Sequence, residues 1–149
     1  MKKLPIGLLS FALLLLASAV LSCGTTSTAL PCGTSPASSG ANAGQLHSIT
    51  LCPATADARD YADGQVQFTA IGFYVNPPSK VAPQPATWGA CYQNTPTTEV
   101  SVSGNGLAQC GSGAAGTYTI FADDPTNCLS VGPCGTGCFV TGNAQLTCP

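Results

Sequence analysis

The 149-residue chain has little charge: Asp, Glu, Lys and Arg make up 7% of it. The six acids are Asp57, Asp60, Asp63, Glu99, Asp123 and Asp124; the four bases are Lys2, Lys3, Arg59 and Lys80. So few bases cannot build the basic patch that neutralises a phosphate backbone, which argues against a nucleic-acid partner. No charge-rich heptad segment exists, which excludes a coiled coil. Catalytic equipment is equally sparse, with one His and one Met. His47, the only imidazole, begins a strand-like segment and reads as a surface residue rather than the base of a triad. The sequence therefore predicts no enzyme, no catalytic residue, no cofactor and no metal site.

What the chain does have is an export pattern. Residues 1–22 read MKKLPIGLLSFALLLLASAVLS, with Lys2 and Lys3 ahead of an apolar run and small residues at Ala17-Ser18-Ala19. This is the three-part form of a secretory signal. A retained membrane span is the competing reading, since the uncharged stretch is nearly long enough to cross a bilayer. The next basic residue is Arg59, however, so no basic stop-transfer residues follow it.

Val20-Leu21-Ser22-Cys23 resembles the lipobox of bacterial lipoproteins. That resemblance implies that Cys23 becomes the first mature residue and carries acyl chains, a firm membrane anchor because each buried methylene adds about 0.8 kcal/mol. The alternative is ordinary cleavage after Ala19 or Ser22, which leaves Cys23 a plain thiol.

Cysteine arithmetic bears on that choice. There are nine: Cys23, Cys32, Cys52, Cys91, Cys110, Cys128, Cys134, Cys138 and Cys148. An odd number in an exported chain leaves one thiol over. If lipid consumes Cys23, the other eight are disulfide candidates that can form four bonds, in an oxidising compartment that lets them persist. Eight cysteines allow about 105 connectivities, so the pairing stays open. Cys128, Cys134 and Cys138 lie close together but lack the C-x2-C spacing of zinc sites, which favours disulfides over metal.

Residues 24–44 read GTTSTALPCGTSPASSGANAG, without charge or aromatic ring. Such a segment predicts a flexible tether with a reach on the order of 25 Å. Cys32 within it either pins the tether to the domain or pairs with another chain. Beyond it, short runs of period two alternate with turn residues. The strongest is 64–75, with Val66, Phe68 and Ala70 on one side and a blurring after Ala70 that suggests a bulge near Gly72. Others cover 47–52, 87–88, 99–103, 107–110, 117–122 and 139–148, while 76–85 with its prolines and 123–137 read as loops. The expected organisation is a lipoprotein signal peptide over 1–22, a Cys-anchored linker over 23–45 and an all-β domain over 46–149. About seven short strands predict a β-sandwich stapled by disulfides.

Ile49-Thr50-Leu51-Cys52-Pro53 and Gly64-Gln65-Val66-Gln67-Phe68-Thr69-Ala70 resemble the opening strands of bacterial immunoglobulin-like domains of group 2, the kind found in intimin- and invasin-type surface proteins. Thr87-Trp88 stands where that family places its core tryptophan. Val100-Ser101-Val102, Gly116-Thr117-Tyr118-Thr119-Ile120 and Ala144-Gln145-Leu146-Thr147 are similar to its later strands. The resemblance implies an Ig-like fold and a stalk, spacer or adhesive role in the cell envelope, with no enzyme activity. It implies no binding motif that transfers residue by residue.

Remaining candidates are local. Asp57, Asp60 and Asp63 read as a solvated turn rather than a calcium loop. Asp123-Asp124 reads as a turn, and Trp88 as core rather than a sugar platform. Tyr61, Tyr74 and Tyr92 are the candidate ligand contacts, because rigid amphipathic rings dominate interface energies. The expected function is a lipid-anchored, non-catalytic binding, adhesive or structural module, its ligand a protein or polysaccharide. The alternative is a secreted disulfide-rich inhibitor-like or carbohydrate-binding protein that acts through the loops at 76–85 or 127–138.

Overall fold

The computed structural model describes residues 45–76, 80–126, 128 and 132–149. The expected signal peptide, Cys23, Cys32 and the linker up to residue 44 lie outside the described residues. Eleven strands follow in order: β1 Leu46–Cys52, β2 Thr55–Asp57, β3 Gln65–Gln67, β4 Thr69–Tyr74, β5 Lys80–Val81, β6 Thr87–Tyr92, β7 Thr95–Pro96, β8 Val100–Val102, β9 Leu107–Cys110, β10 Gly116–Asp123 and β11 Thr141–Cys148. Among the described residues helix is confined to single 3-10 turns, at Ala58–Asp60, Ala62–Gly64 and Pro133–Gly135. Among the described residues no helix is long and apolar enough to cross a membrane.

The strands form two layers. In the first, β1 pairs with β4, β3 with β9 and β9 with β8, all antiparallel. β3 and β4 are one strand interrupted at Phe68, whose N–H still donates to the Gly106 carbonyl at 2.9 Å. The second layer runs β2-β11-β10-β6-β7. Here β2 lies parallel to β11, so the chain leaves the first sheet after β1 and joins the edge of the second. This crossing, with β1, the β3/β4 strand, β9 and β8 facing β11, β10 and β6, is the arrangement of an immunoglobulin-like sandwich.

The inward-facing alternation fills the space between the layers. Val66, Phe68 and Ala70 meet Tyr118, Ile120 and Ala122 of β10 and Ala144 and Leu146 of β11, all buried. Three disulfides join the described residues: Cys110–Cys148 links β9 of the first sheet to β11 of the second, Cys91–Cys134 ties β6 to the β10–β11 connection, and Cys128–Cys138 closes that connection on itself. Small domains with modest cores commonly gain about 2–4 kcal/mol from each such bond.

Several boundaries differ from expectation. No bulge occurs at Gly72, which stays in register with Ile49; the irregularity lies on the partner strand between Leu46 and Ser48. The extra residue, His47, lets Leu46 and Ile49 both reach the core, which strict alternation forbids. The proline loop at 76–85 contains β5, whose Val81 pairs with Gly72. Asp57, expected in a solvated turn, instead ends β2.

Candidate binding surface

The β1–β4 register sets Leu46 opposite Tyr74, so the N-terminus of the domain lies beside the β4–β5 loop. The Val75 N–H donates to the Gln45 carbonyl at 3.2 Å and fixes that neighbourhood. β6 begins at the same level, because Thr87 pairs with Asp123 at the end of β10. One end of the sandwich therefore carries the N-terminus, the β4–β6 connection and the long β10–β11 connection.

The β10–β11 connection folds back over the outer face of the sheet. Its base is closed by the Asp124 N–H donating to the Val140 carbonyl at 3.1 Å. Cys134 bonds to Cys91, which lies on the same outward face of β6 as Thr119 of β10. Beneath it lies Asp123, only 1% exposed although it belongs to the outward-facing set of β10. The Thr141 hydroxyl sits 2.7 Å from Asp123 Oδ1 and 3.1 Å from the Gly135 carbonyl. Asp123 Oδ2 has no hydrogen-bond partner among the described residues. Asp124 Oδ1 accepts from the Thr126 N–H at 3.0 Å and from its hydroxyl at 2.8 Å. The turn expected at Asp123-Asp124 stands one step later, at Pro125-Thr126: Asp123 ends β10, and both aspartates are buried beneath the stapled connection. It leaves Phe139 outside, 73% exposed.

Between the sheets a cleft of about 480 Å³ opens where Trp88 of β6 faces the strand break at Phe68. Pro83, Gln84 and Pro85 form one wall and Asn105 another, and among the described residues no charged side chain lines it. Tyr74 donates its hydroxyl to Gln84 Oε1 at 2.7 Å, and Gln67 Nε2 donates to the carbonyls of Phe68 and Asn105 at 2.8 and 2.7 Å. Trp88 is therefore half-buried at the side of the core rather than inside it. Its ring lies over Gly106, where a Cβ would collide with the Phe68 carbonyl and the indole. An uncharged cleft with an aromatic side and amide groups suits a neutral, partly apolar ligand.

The three tyrosines are not brought together. Tyr74 backs the cleft through Gln84. Tyr92 lies at the other end of β6, its ring centroid 5.1 Å from that of Tyr118. Tyr61 packs against the core between the first two 3-10 turns. The acidic groups are separated too. Asp123 pairs with Thr141 and Asp57 with Thr147, six residues apart along β11. At ~3.3 Å per residue that is about 20 Å, so these loops do not converge their carboxylates. Cys128, Cys134 and Cys138, the trio weighed for zinc, are all in disulfides.

At the far end, Asp57 accepts from the Arg59 N–H at 3.0 Å and from Arg59 Nε at 2.9 Å. These hydrogen bonds, side chain first and backbone second, lower its pKa to about 2. The turn there closes through Asp63 and Gly64, with φ of 57° and 64°. The Asp57 carboxylate caps the first 3-10 turn, a feature that Asp57-Ala58-Arg59 signals in sequence.

No protein-family model matches the chain, and no curated protein matches it.

Proposed function

We propose that this is a lipid-anchored cell-envelope protein that presents one immunoglobulin-like domain, of the group 2 bacterial kind, as a non-catalytic binding or adhesive module. The observation that carries the reading is the state of the cysteines. All seven described cysteines are in disulfides. Three bonds account for six of them, so Cys52 is bonded to a cysteine outside the described residues. Two cysteines lie there, Cys23 and Cys32. Pairing Cys32 with Cys52 leaves Cys23, the last residue of the lipobox-like Val20-Leu21-Ser22-Cys23, as the single cysteine free for lipid.

The adhesive part of the proposal rests on form. The sandwich is rigidly stapled, and its largest elaboration, the β10–β11 connection, is held by two disulfides and presents an exposed Phe139. Projecting loops on a rigid scaffold are where binding concentrates in such folds. Intact mass of the native protein, alkylated without reduction, tests the anchor. The expected species starts at Cys23 and carries acyl chains and no alkyl group. A species without lipid and with one alkylated thiol overturns the anchor and leaves the secreted, loop-acting alternative.

A further inference from the structure

Among the described residues three polar or charged side chains are buried, Gln84, Asp123 and Asp124, and Gln84 is the one that lines the Trp88 cleft. Its position is fixed. The Gln84 N–H donates to the Ala70 carbonyl at 2.8 Å, and the Tyr74 hydroxyl donates to Oε1 at 2.7 Å. The side chain lies over Gly72, where a Cβ would displace it. With Oε1 taken, Nε2 is left, and its one acceptor among the described residues, the Pro85 carbonyl, stands at 3.5 Å, the limit of a hydrogen bond. Gln84 is 8% exposed, so solvent reaches this amide poorly, and an oxygen supplied from within the cleft would complete it. The rim continues the pattern. Both protons of Gln67 Nε2 are used, on the Phe68 and Asn105 carbonyls, which leaves Gln67 Oε1 as an acceptor. The Ser103 hydroxyl donates to Asn105 Oδ1, which leaves Asn105 Nδ2 as a donor. Two donors and an acceptor thus stand around one indole, in orientations that the protein's own bonds set.

We propose that this cleft binds one neutral pyranose residue of a glycan, its C–H face against the Trp88 indole and its hydroxyls on Gln84 Nε2, Asn105 Nδ2 and Gln67 Oε1. The inference deepens the binding-module reading and rests on it, but it does not need the lipid anchor. A sugar hydroxyl both donates and accepts, which this mixed set requires, and ring C–H groups bury against an aromatic face. The cleft, about 480 Å³, falls within the roughly 300–1,000 Å³ of small-ligand sites. Other occupants fit less well. An anionic ligand finds no cation, because among the described residues no charged side chain lines the cleft. A wholly apolar ligand would bury Gln84 Nε2 without an acceptor. An extended peptide adds to a sheet through free main-chain groups. Here the Phe68 and Ala70 carbonyls already accept from Gln67 and Gln84, and the Phe68 N–H already donates to Gly106.

Trp88 is the only tryptophan of the chain, so its emission reports the site directly. The native protein is titrated with chitotetraose, cellotetraose and mannotetraose, with tetragalacturonate as the anionic control and a proline-rich peptide as the peptide control. At least one neutral tetrasaccharide should shift the emission to the blue and saturate, while the uronate and the peptide stay silent. Gln84→Ala and Asn105→Ala should each weaken that binding roughly tenfold, whereas Phe139→Ala, in the β10–β11 connection, should leave it unchanged. A monodeoxy series of the bound sugar reads the same contacts without altering the protein, and should lose roughly tenfold at one or more positions even if the Gln84 variant fails to fold. An emission that no neutral saccharide moves, equal binding of the uronate, or a response to the peptide alone overturns the sugar assignment. Binding abolished by Phe139→Ala and untouched by Gln84→Ala and Asn105→Ala overturns the cleft as the site, and leaves a binding module that acts through the β10–β11 connection. Intact mass decides the lipid anchor separately from all of these results.

Discussion

The hydroxyl of Tyr118 donates to Glu99 Oε2 at 2.6 Å and accepts the Ala115 N–H at 3.2 Å, joining the turn before β10 to the segment that leads into β8. A tyrosine near the start of this strand, bonded back to backbone just upstream, is a recurrent corner of Ig-like sandwiches. The Glu99 carboxylate, with burial as the second cause, raises the Tyr118 pKa above its ordinary 10.0. The neutral phenol is thus the form the fold favours. Its contribution is complete below the unfolded pKa and is lost as pH rises through the folded one. Urea melts should show stability falling above about pH 10. Tyr118→Phe should be less stable at neutral pH and should lose that alkaline dependence.

At the acid extreme the sign reverses. Asp57 is held at about 2 against an ordinary 3.8, so its contribution is present above the higher value and disappears as pH falls toward the lower. Asp57→Asn should flatten the pH dependence of thermal stability between pH 4 and about 2. Unchanged acid curves would show that the Arg59 pair does not act in solution, as many exposed pairs do not.

Gly106 has φ of 84° and lies under the Trp88 ring, whereas Gly104, two residues earlier, has nothing near its would-be Cβ. Gly106→Ala should cost more than about 1 kcal/mol, from positive φ and collision with the Phe68 carbonyl. Gly104→Ala should stay within about 0.5 kcal/mol. Paired denaturant curves check both, and Trp88 emission should shift only in the first.

Loop length ranks the disulfides. Cys91–Cys134 and Cys110–Cys148 close separations of 43 and 38 residues, and Cys128–Cys138 closes 10. Chain entropy predicts losses of about 4, 4 and 3 kcal/mol when each pair is replaced by Ala. The Cys91/Cys134 variant should also open the cover over Asp123. Amide hydrogen exchange of β10 near Asp123 should then speed up, while exchange at Ile120 changes only with global stability.

The two-residue period made the central strands legible: Val66-Phe68-Ala70 and Tyr118-Ile120-Ala122 are buried as alternation predicts. β2 was invisible because three residues are too few to show a period, and its partner Gln145 is ninety positions beyond Thr55. The His47 irregularity also left no local signal, since Leu46 reaches the core only through pairing with Tyr74. Asp123 looked like turn because Asp-Asp-Pro composition says so. Its burial depends on the Cys91–Cys134 bond, one connectivity among many that spacing cannot choose. Trp88 was expected in the core, and the interruption of the facing strand at Phe68 leaves it at a cleft instead.

The central claim is that the domain uses every cysteine but Cys23. Peptide mapping of the native, unreduced protein by mass spectrometry tests it most directly. The account predicts linked peptides for Cys91–Cys134, Cys110–Cys148 and Cys128–Cys138, together with one joining Cys52 to Cys32 and an acylated Cys23. A peptide joining Cys52 to Cys23 would contradict it, because that bond removes the residue the anchor requires.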